Sequence, residues 1–395
     1  MALDIAAIQR TLAAEQIDGW LLYDFHASNP IAVKLVGNTG KHMTRRWYYF
    51  IPASGSPQKL VHAIEPAMLD GVPGTKRTYA GRRDLEQGVI DMLRGVKTVA
   101  MEYSAENAIP YLSRVDAGTV EFIRRIGPRI VSSGDLVGRF EAAWDAAAIA
   151  THREASDKLY RIKDQAFAYV GAKLDAGNAL HEYEVQQQMV GWQRELGLFA
   201  DSAPIVGAME NAGNPHYAPS AERSRPIRRN EVLLLDLWGK LHQPGSVYAD
   251  ITWTGFAGDP PPEIAHAFGA IVAGRDRAVA AVKAAVGAGR PIHGWEVDRA
   301  TRDVITAAGL GDRFIHRTGH SLGEEVHGNG VHMDDYETHD DRRLLPGTGF
   351  TIEPGVYTER FGVRTEINMV VFDRSAEVTG PLQQTLVKIG TKTLK

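Results

Sequence analysis

The sequence predicts an α/β (α+β) protein of two domains, residues 1–150 and 151–395. Three observations predict it. A chain of 395 residues is long enough to build two cores. In the first part, short aromatic and β-branched runs alternate with helical patterns. In the second, long helical periodicities separate apolar strands that carry acids.

Taken in order, residues 3–16 space their apolar side chains as an opening amphipathic helix. The strand WLLYDF follows, Trp20 to Phe25, and RRWYYFIP, PQKLVHAI and KTVAMEYS read as further strands between turn-rich stretches. This layer offers little chemistry beyond KHMTRRWYYF, where Lys41, His42, Arg45 and Arg46 precede a strand. From near Ala150, the residues Leu159, Ile162, Ala166, Tyr169, Val170 and Leu174 recur at helical spacing. They predict a helix of about five turns that ends at Gly177-Asn178. HEYEVQQQMVGWQRELG, from His181, predicts a second helix. A third follows the prolines at 260–262 and runs through Phe268, Ile271, Val272, Val279, Val282 and Val286. A fourth spans Trp295 to Ala308 and stops before Gly309-Leu310-Gly311. No low-complexity segment interrupts the chain, and no internal duplication is legible by eye.

A net charge of −4 implies no nucleic-acid footprint and no attraction to membrane surfaces. The opening MALDIAAIQRTLAAEQIDGW has neither a basic leader nor an uninterrupted apolar core, so no signal peptide is expected. No apolar run reaches the length of a membrane span. The absence of cysteine excludes disulfides, a thiol nucleophile and a zinc-thiolate site. A cytoplasmic, soluble enzyme is the expectation.

The chemistry is concentrated in four segments: LLLDLWGKLHQPGSVYADITWTG, HRTGHSLGEEVHGNGVH, TIEPGVY and GVRTEINMVVF. Side chains alternate across a strand, so Tyr248, Asp250, Thr252 and Thr254 share one face. Arg364, Glu366 and Asn368 share another. Asp236 ends an almost wholly apolar run, where a carboxylate is costly to bury without a compensating charge. Glu353 precedes Pro354-Gly355, where a strand must end. Acids embedded repeatedly in apolar strands point to a shared buried countercharge. Together with His320 they form a mostly oxygen-donor set suited to Mn²⁺, Co²⁺ or Zn²⁺. With several carboxylates to share, two ions roughly 3.5–4 Å apart are the natural arrangement, and that is hydrolytic machinery.

Other motifs are weaker. Gly319-His320-Ser321-Leu322-Gly323 fits the G-x-S-x-G elbow of serine hydrolases. That reading needs an acid and then a distant histidine, yet the last histidine, His339, follows Ser321 by only 18 residues. HMDDYETHDD (332–341) reads as a solvated loop near the site's mouth. RSRPIRR, Arg223 to Arg229, reads as a solvated basic turn.

The order Asp, Asp, His, Glu, Glu, with GHSLGEEVH and TIEPGVY, resembles the pita-bread metallopeptidases. That family includes methionine aminopeptidase, aminopeptidase P, prolidase (Xaa-Pro dipeptidase) and creatinase. The resemblance runs from about residue 155 to 380 and includes HEYEV and PGTGFTIEPGVY. It implies a C-terminal pita-bread catalytic domain behind an N-terminal creatinase/prolidase-type α/β domain, the layout of the Xaa-Pro branch. It also implies two divalent ions per subunit (Mn, Zn or Co). By position, Asp236 would hold one ion, Asp250 and Glu366 would bridge both, and His320 and Glu353 would complete the second. Glu353 would also handle the proton of the attacking water. His327 would steady the scissile carbonyl, and His216, in NPHYAPS, would touch substrate and assist proton transfer. His316 would shape the pocket, and Arg364 would orient the site or bind a dipeptide carboxylate.

Two departures stand out. The aspartates lie 14 residues apart, and the extra KLHQPGS material would enlarge a hairpin loop. After Glu366 come Ile367 and Asn368, where relatives often carry further acids. The expected function is metal-dependent hydrolysis before proline in Xaa-Pro dipeptides, with aminopeptidase P activity on longer peptides as the alternative. A non-catalytic binding module, or creatinase-like hydrolysis without metal, fits less well because all five ligand positions are filled. A small peptide substrate and a homodimer are the expected partners, with no nucleic acid and no membrane.

Overall fold

The computed structural model describes residues 3–390, and the chain divides after Ala142 into two compact units. The boundary anticipated at 150 falls inside a helix that Asp145 caps by accepting the Ala148 N–H.

The N-terminal unit is a six-stranded sheet ordered β4-β3-β2-β1-β5-β6. Its strands are β1 (Gly19–Asp24), β2 (Trp47–Pro52), β3 (Gln58–His62), β4 (Thr75–Tyr79), β5 (Thr98–Met101) and β6 (Arg129–Ser132). Against the others, β2 alone is antiparallel. Both faces are covered, as a mostly parallel sheet requires. Trp20 and Leu22 point to one core with α1 (Ile5–Ala14), α2 (Pro30–Leu35) and α5 (Gly134–Phe140). Leu21 and Tyr23 point to the other, with α3 (Arg82–Met92) and α4 (Ala117–Ile126). The sequence pattern does not announce β4, TKRTY, because four of its five side chains are exposed at the sheet edge.

The C-terminal unit opens with α6 (Ala146–Asp175), longer than the periodicity from Leu159 suggests. Its buried stripe begins earlier, with His152 and Ala155. It ends before Gly177, whose φ of 72° suits glycine. Next come α7 (Glu182–Glu195), β7 (Leu198–Phe199), β8 (Ile205–Ala208), β9 (Val232–Leu241) and β10 (Ala249–Phe256). After them α8 (Pro262–Gly287) and α9 (Gly294–Ala307) form a second helix pair. The strands β11 (Gly349–Ile352), β12 (Gly355–Tyr357), β13 (Gly362–Arg364), β14 (Ile367–Val371), β15 (Ala376–Val378) and β16 (Val387–Lys388) follow.

One helix opening occurs twice in the C-terminal unit. Both α7 and α9 are 14-residue helices opened by His-x-x-Glu-Val. In each, the glutamate accepts the backbone N–H of the histidine: Glu184 from His181 at 2.8 Å, Glu296 from His293 at 2.9 Å. In each, the valine that follows is fully buried.

Asp236 lies inside β9, which runs five residues further, to Leu241. One more expectation changes. GVRTEINMVVF is not one strand: β13 and β14 are separated by Thr365 and Glu366, and the Glu366 N–H bonds Thr252 O at 2.9 Å. The chain changes sheets there, and Glu366 sits in the break.

Candidate metal centre

The β9–β10 hairpin places the first two acids. Asp236 lies opposite Thr252, and Asp250 opposite Trp238. The aspartates are therefore diagonal neighbours on one face, close enough to share a ligand. The register makes the 14-residue spacing harmless, because the added residues fall in the loop between Leu241 and Ala249.

His320 comes from an irregular segment fixed at several points. Asp298 on α9 accepts both the Thr318 N–H (2.9 Å) and its hydroxyl (2.7 Å). Arg302 in turn holds Asp298. The Glu353 N–H bonds Thr318 O at 2.7 Å, and the His320 N–H bonds Thr351 Oγ1 at 2.9 Å. A Cβ on Gly319 would come within 2.0 Å of Thr351 O, so the residue before the histidine must be glycine. His320 Nδ1 lies 3.1 Å from Ser321 O, which assigns its proton to Nδ1 and leaves Nε2 bare. Nε2 is 3.4 Å from Glu353 Oε1 and 3.6 Å from Asp250 Oδ2.

Asp250, His320 and Glu366 offer ligand atoms that all lie within 4.8 Å of one another. All three residues are buried. Asp250 Oδ1 and Glu366 Oε1 are buried and have no hydrogen-bond partner. Orphaned carboxylate oxygens are expensive in a protein interior. Desolvation, and then the neighbouring carboxylates, push both Asp250 and Glu366 well above the usual carboxylate range. Asp236 is raised too, by burial, although Arg364 opposes the shift. The cluster therefore lacks positive charge, and its donors fit a divalent ion.

Glu353 differs. Burial alone would raise it, but His320, His316 and Arg364 outweigh burial and hold it below the ordinary value. It is ionised at neutral pH, with Oε1 accepting the Thr351 hydroxyl at 3.0 Å.

Arg364 is buried and its guanidinium is committed. It ion-pairs Asp236, reaches Thr252 Oγ1 at 3.0 Å through Nε, and donates to the Tyr357 hydroxyl at 3.1 Å. Of the two roles anticipated for it, this arrangement fits orientation of the site rather than a free clamp for substrate. Tyr357 then meets His316 Nε2 at 2.8 Å, and His316 Nδ1 lies 2.7 Å from Arg317 O. Burial pushes His316 down to about 4, so it is neutral and accepts the Tyr357 proton.

His327 stands at the open side, its ring 4.3 Å from that of His320. Desolvation and the neighbouring His320 lower its proton affinity, so it too is neutral near pH 7. His216 is exposed, and its backbone N–H bonds Asn214 Oδ1 at 3.1 Å.

Sequence reasoning missed Thr252, Thr351, Tyr357 and Asp298. Thr252 donates to Glu366 Oε2 at 2.7 Å, as Thr351 does to Glu353, so each hydroxyl turns one glutamate and leaves its other oxygen free. A signal existed for two of them: Thr252 shares the strand face of Asp250, and Tyr357 closes the TIEPGVY motif.

Two surface readings are corrected. The 332–341 loop is solvated only in part: Tyr336, Glu337, His339 and Asp341 are exposed, but His332, Asp334 and Asp340 are fully buried. Asp334 accepts the N–H groups of Tyr336, Glu337 and Thr338, and Asp340 pairs with Arg342. In RSRPIRR, Arg225 is drawn in by Glu210 and Glu231, and Arg229 pairs with Asp175. The nucleophile-elbow reading fails on its geometry. Ser321 is 1% exposed, its Oγ accepts the Gly330 N–H, and no helix follows it.

Residues 154–373 match the model of metallopeptidase family M24. A relative from Mycobacterium tuberculosis named probable dipeptidase PepE is 32% identical over 173 residues, 44% of this chain and 42% of that protein. A Lactobacillus delbrueckii subsp. lactis protein named Xaa-Pro dipeptidase is 36% identical over 163 residues, 41% of this chain and 40% of the relative. The matches thus span about two fifths of the length of these curated relatives. The crystal structure of dipeptidase PepE from Mycobacterium ulcerans aligns with a TM-score of 0.68 at 25% identity, over 98% of this chain and 97% of that one.

Proposed function

Because the chain belongs to metallopeptidase family M24, we propose that it hydrolyses the peptide bond before proline in Xaa-Pro dipeptides. The observation that carries this reading is the pair of buried carboxylates, Asp250 and Glu366, each with an oxygen left unpartnered beside the bare Nε2 of His320. Asp236, Asp250, His320, Glu353 and Glu366 would hold two divalent ions of the Mn, Zn or Co type. Bound there, the ions supply Lewis-acid charge that makes water nucleophilic near neutral pH and polarises the scissile carbonyl.

The chain's own groups do the rest. Glu353 is ionised and held by Thr351, so it can take the proton of the attacking water and pass it to the departing proline nitrogen. His327, neutral at the open side, donates a hydrogen bond to the carbonyl oxygen as negative charge develops there. His216, exposed, would touch the substrate and assist proton transfer. Arg364, Tyr357 and His316 form a chain of hydrogen bonds that fixes the orientation of Asp236.

The names of the relatives favour dipeptides, the family resemblance favours a homodimer, and the composition fits a cytoplasmic enzyme. Among the described residues, no helix is long and apolar enough to cross a membrane.

The test offers Ala-Pro, Ala-Pro-Ala and Ala-Ala to protein supplied with Mn²⁺. Cleavage confined to Ala-Pro supports the proposal. Cleavage mainly of the tripeptide moves the activity to aminopeptidase P. Cleavage of Ala-Ala at an equal rate, or of none of the three, overturns the specificity for proline.

A further inference from the structure

The N-terminal unit contains a cleft of about 1070 Å³ built wholly from residues 23–125. It opens at the C-terminal ends of β1, β3 and β4, between the first turns of α3 and α4. In open α/β sheets, that end of the parallel strands is where ligands bind.

The floor of the cleft carries unspent donors. Tyr48 is 1% exposed and lines the cleft. Its hydroxyl is electrostatically coupled to Tyr23, Arg46, Asp116 and Tyr79, which also line it. The Tyr79 hydroxyl donates to Arg46 O at 2.7 Å, and the Tyr23 hydroxyl meets Asp116 and Thr119. Among the described residues, the Tyr48 hydroxyl has no such partner. The ring is buried while the hydroxyl stands in the cleft as a donor open to a ligand. Arg46 is half-buried, and its guanidinium likewise has no ion pair or hydrogen bond among the described residues.

The acids nearby do not cancel this charge. Asp116 is used by Thr119, Tyr23 and the start of α4, and Glu86 pairs with Arg82. Glu121 faces solvent at the rim, where Arg125 stacks on Phe122 at 5.4 Å. The start of α3, capped by Gly81 without a side-chain bond, adds its partial positive charge. The walls are aromatic: Tyr23 and Tyr48 pack at 4.9 Å, and Phe25 is 43% exposed.

We propose that this cleft is a binding site for a small aromatic acid. Its carboxylate or phosphate head would lie on Arg46 and the Tyr48 hydroxyl, and its ring against the aromatic wall. Charge-assisted bonds to the head give affinity, and the ring gives selectivity. The site is independent of the metal centre and of the peptidase reading.

Isothermal titration of the full chain with phenylphosphonate tests it, with methylphosphonate and benzyl alcohol as half-probes. Phenylphosphonate should bind about tenfold or more tighter than either half-probe, because each half forfeits one set of contacts. Tyr48→Phe keeps the ring and the fold and should weaken binding severalfold. Arg46→Met should weaken it about tenfold or more. No binding of phenylphosphonate, or binding unchanged in both variants, overturns the proposal. Binding lost in His320→Ala but kept in Arg46→Met would place the probe at the metal centre and equally overturn it.

Discussion

Three of the five candidate ligand positions, His320, Glu353 and Glu366, are held by a hydroxyl that the sequence hides. Thr351 bonds the His320 backbone and the Glu353 carboxylate together, and Thr252 turns Glu366 while accepting Arg364. These hydroxyls decide which carboxylate oxygen stays free, and that determines where a cation can sit. The roles separate by experiment. Asp250→Ala should lose bound metal and activity together. His327→Ala should retain metal while turnover falls by about 10²–10³, the range for loss of one oxyanion donor. Metal content measured beside turnover checks both, and full activity in Asp250→Ala would contradict the assignment. At this scale the clustered acids were legible because acids in apolar strands are conspicuous. The orienting threonines were not, since a threonine in a strand needs no special explanation.

At the scale of elements, the long helix α6 is tied to the site strand β10 through one histidine. His152 Nδ1 lies 2.8 Å from Tyr248 O, and Nε2 lies 2.6 Å from Thr379 Oγ1. Burial pushes His152 down from 6.5 to about 4, so it is neutral in the folded chain at neutral pH. Between those values the unfolded chain binds more protons than the folded one. Stability is therefore complete above 6.5 and falls as the pH drops towards 4. The loss is on the order of 3 kcal/mol for this group alone. Urea denaturation at pH 7 and at pH 4.5 should show a smaller loss for His152→Gln than for the unchanged chain, and equal losses would contradict the account. Elements with strong periodicity, such as α8 and α9, were legible to within a residue or two. The start of α6 was not, because its buried face opens with His152, a polar residue. The edge strand β4 and the buried acids of the loop at 332–341 were missed for related reasons. The strand is exposed and polar, and the loop buries acids that satisfy themselves locally.

Across the whole molecule, the expected pita-bread architecture behind an α/β domain is matched by a solved dipeptidase along nearly its full length. The His-x-x-Glu-Val caps of α7 and α9 show the C-terminal unit using one helix opening twice. Its strands and loops bring together a buried cluster of acids whose excess negative charge a bound cation would balance. The central claim is that this cluster works by holding metal. The direct measurement is the rate of Ala-Pro hydrolysis while Mn²⁺ is titrated into chelator-stripped protein, with bound ion quantified at each step. The stripped protein should be inactive, and the rate should rise with occupancy and level off near two ions per chain, as expected for a two-metal site. Full turnover without ion, or none once the ions are bound, would contradict the account.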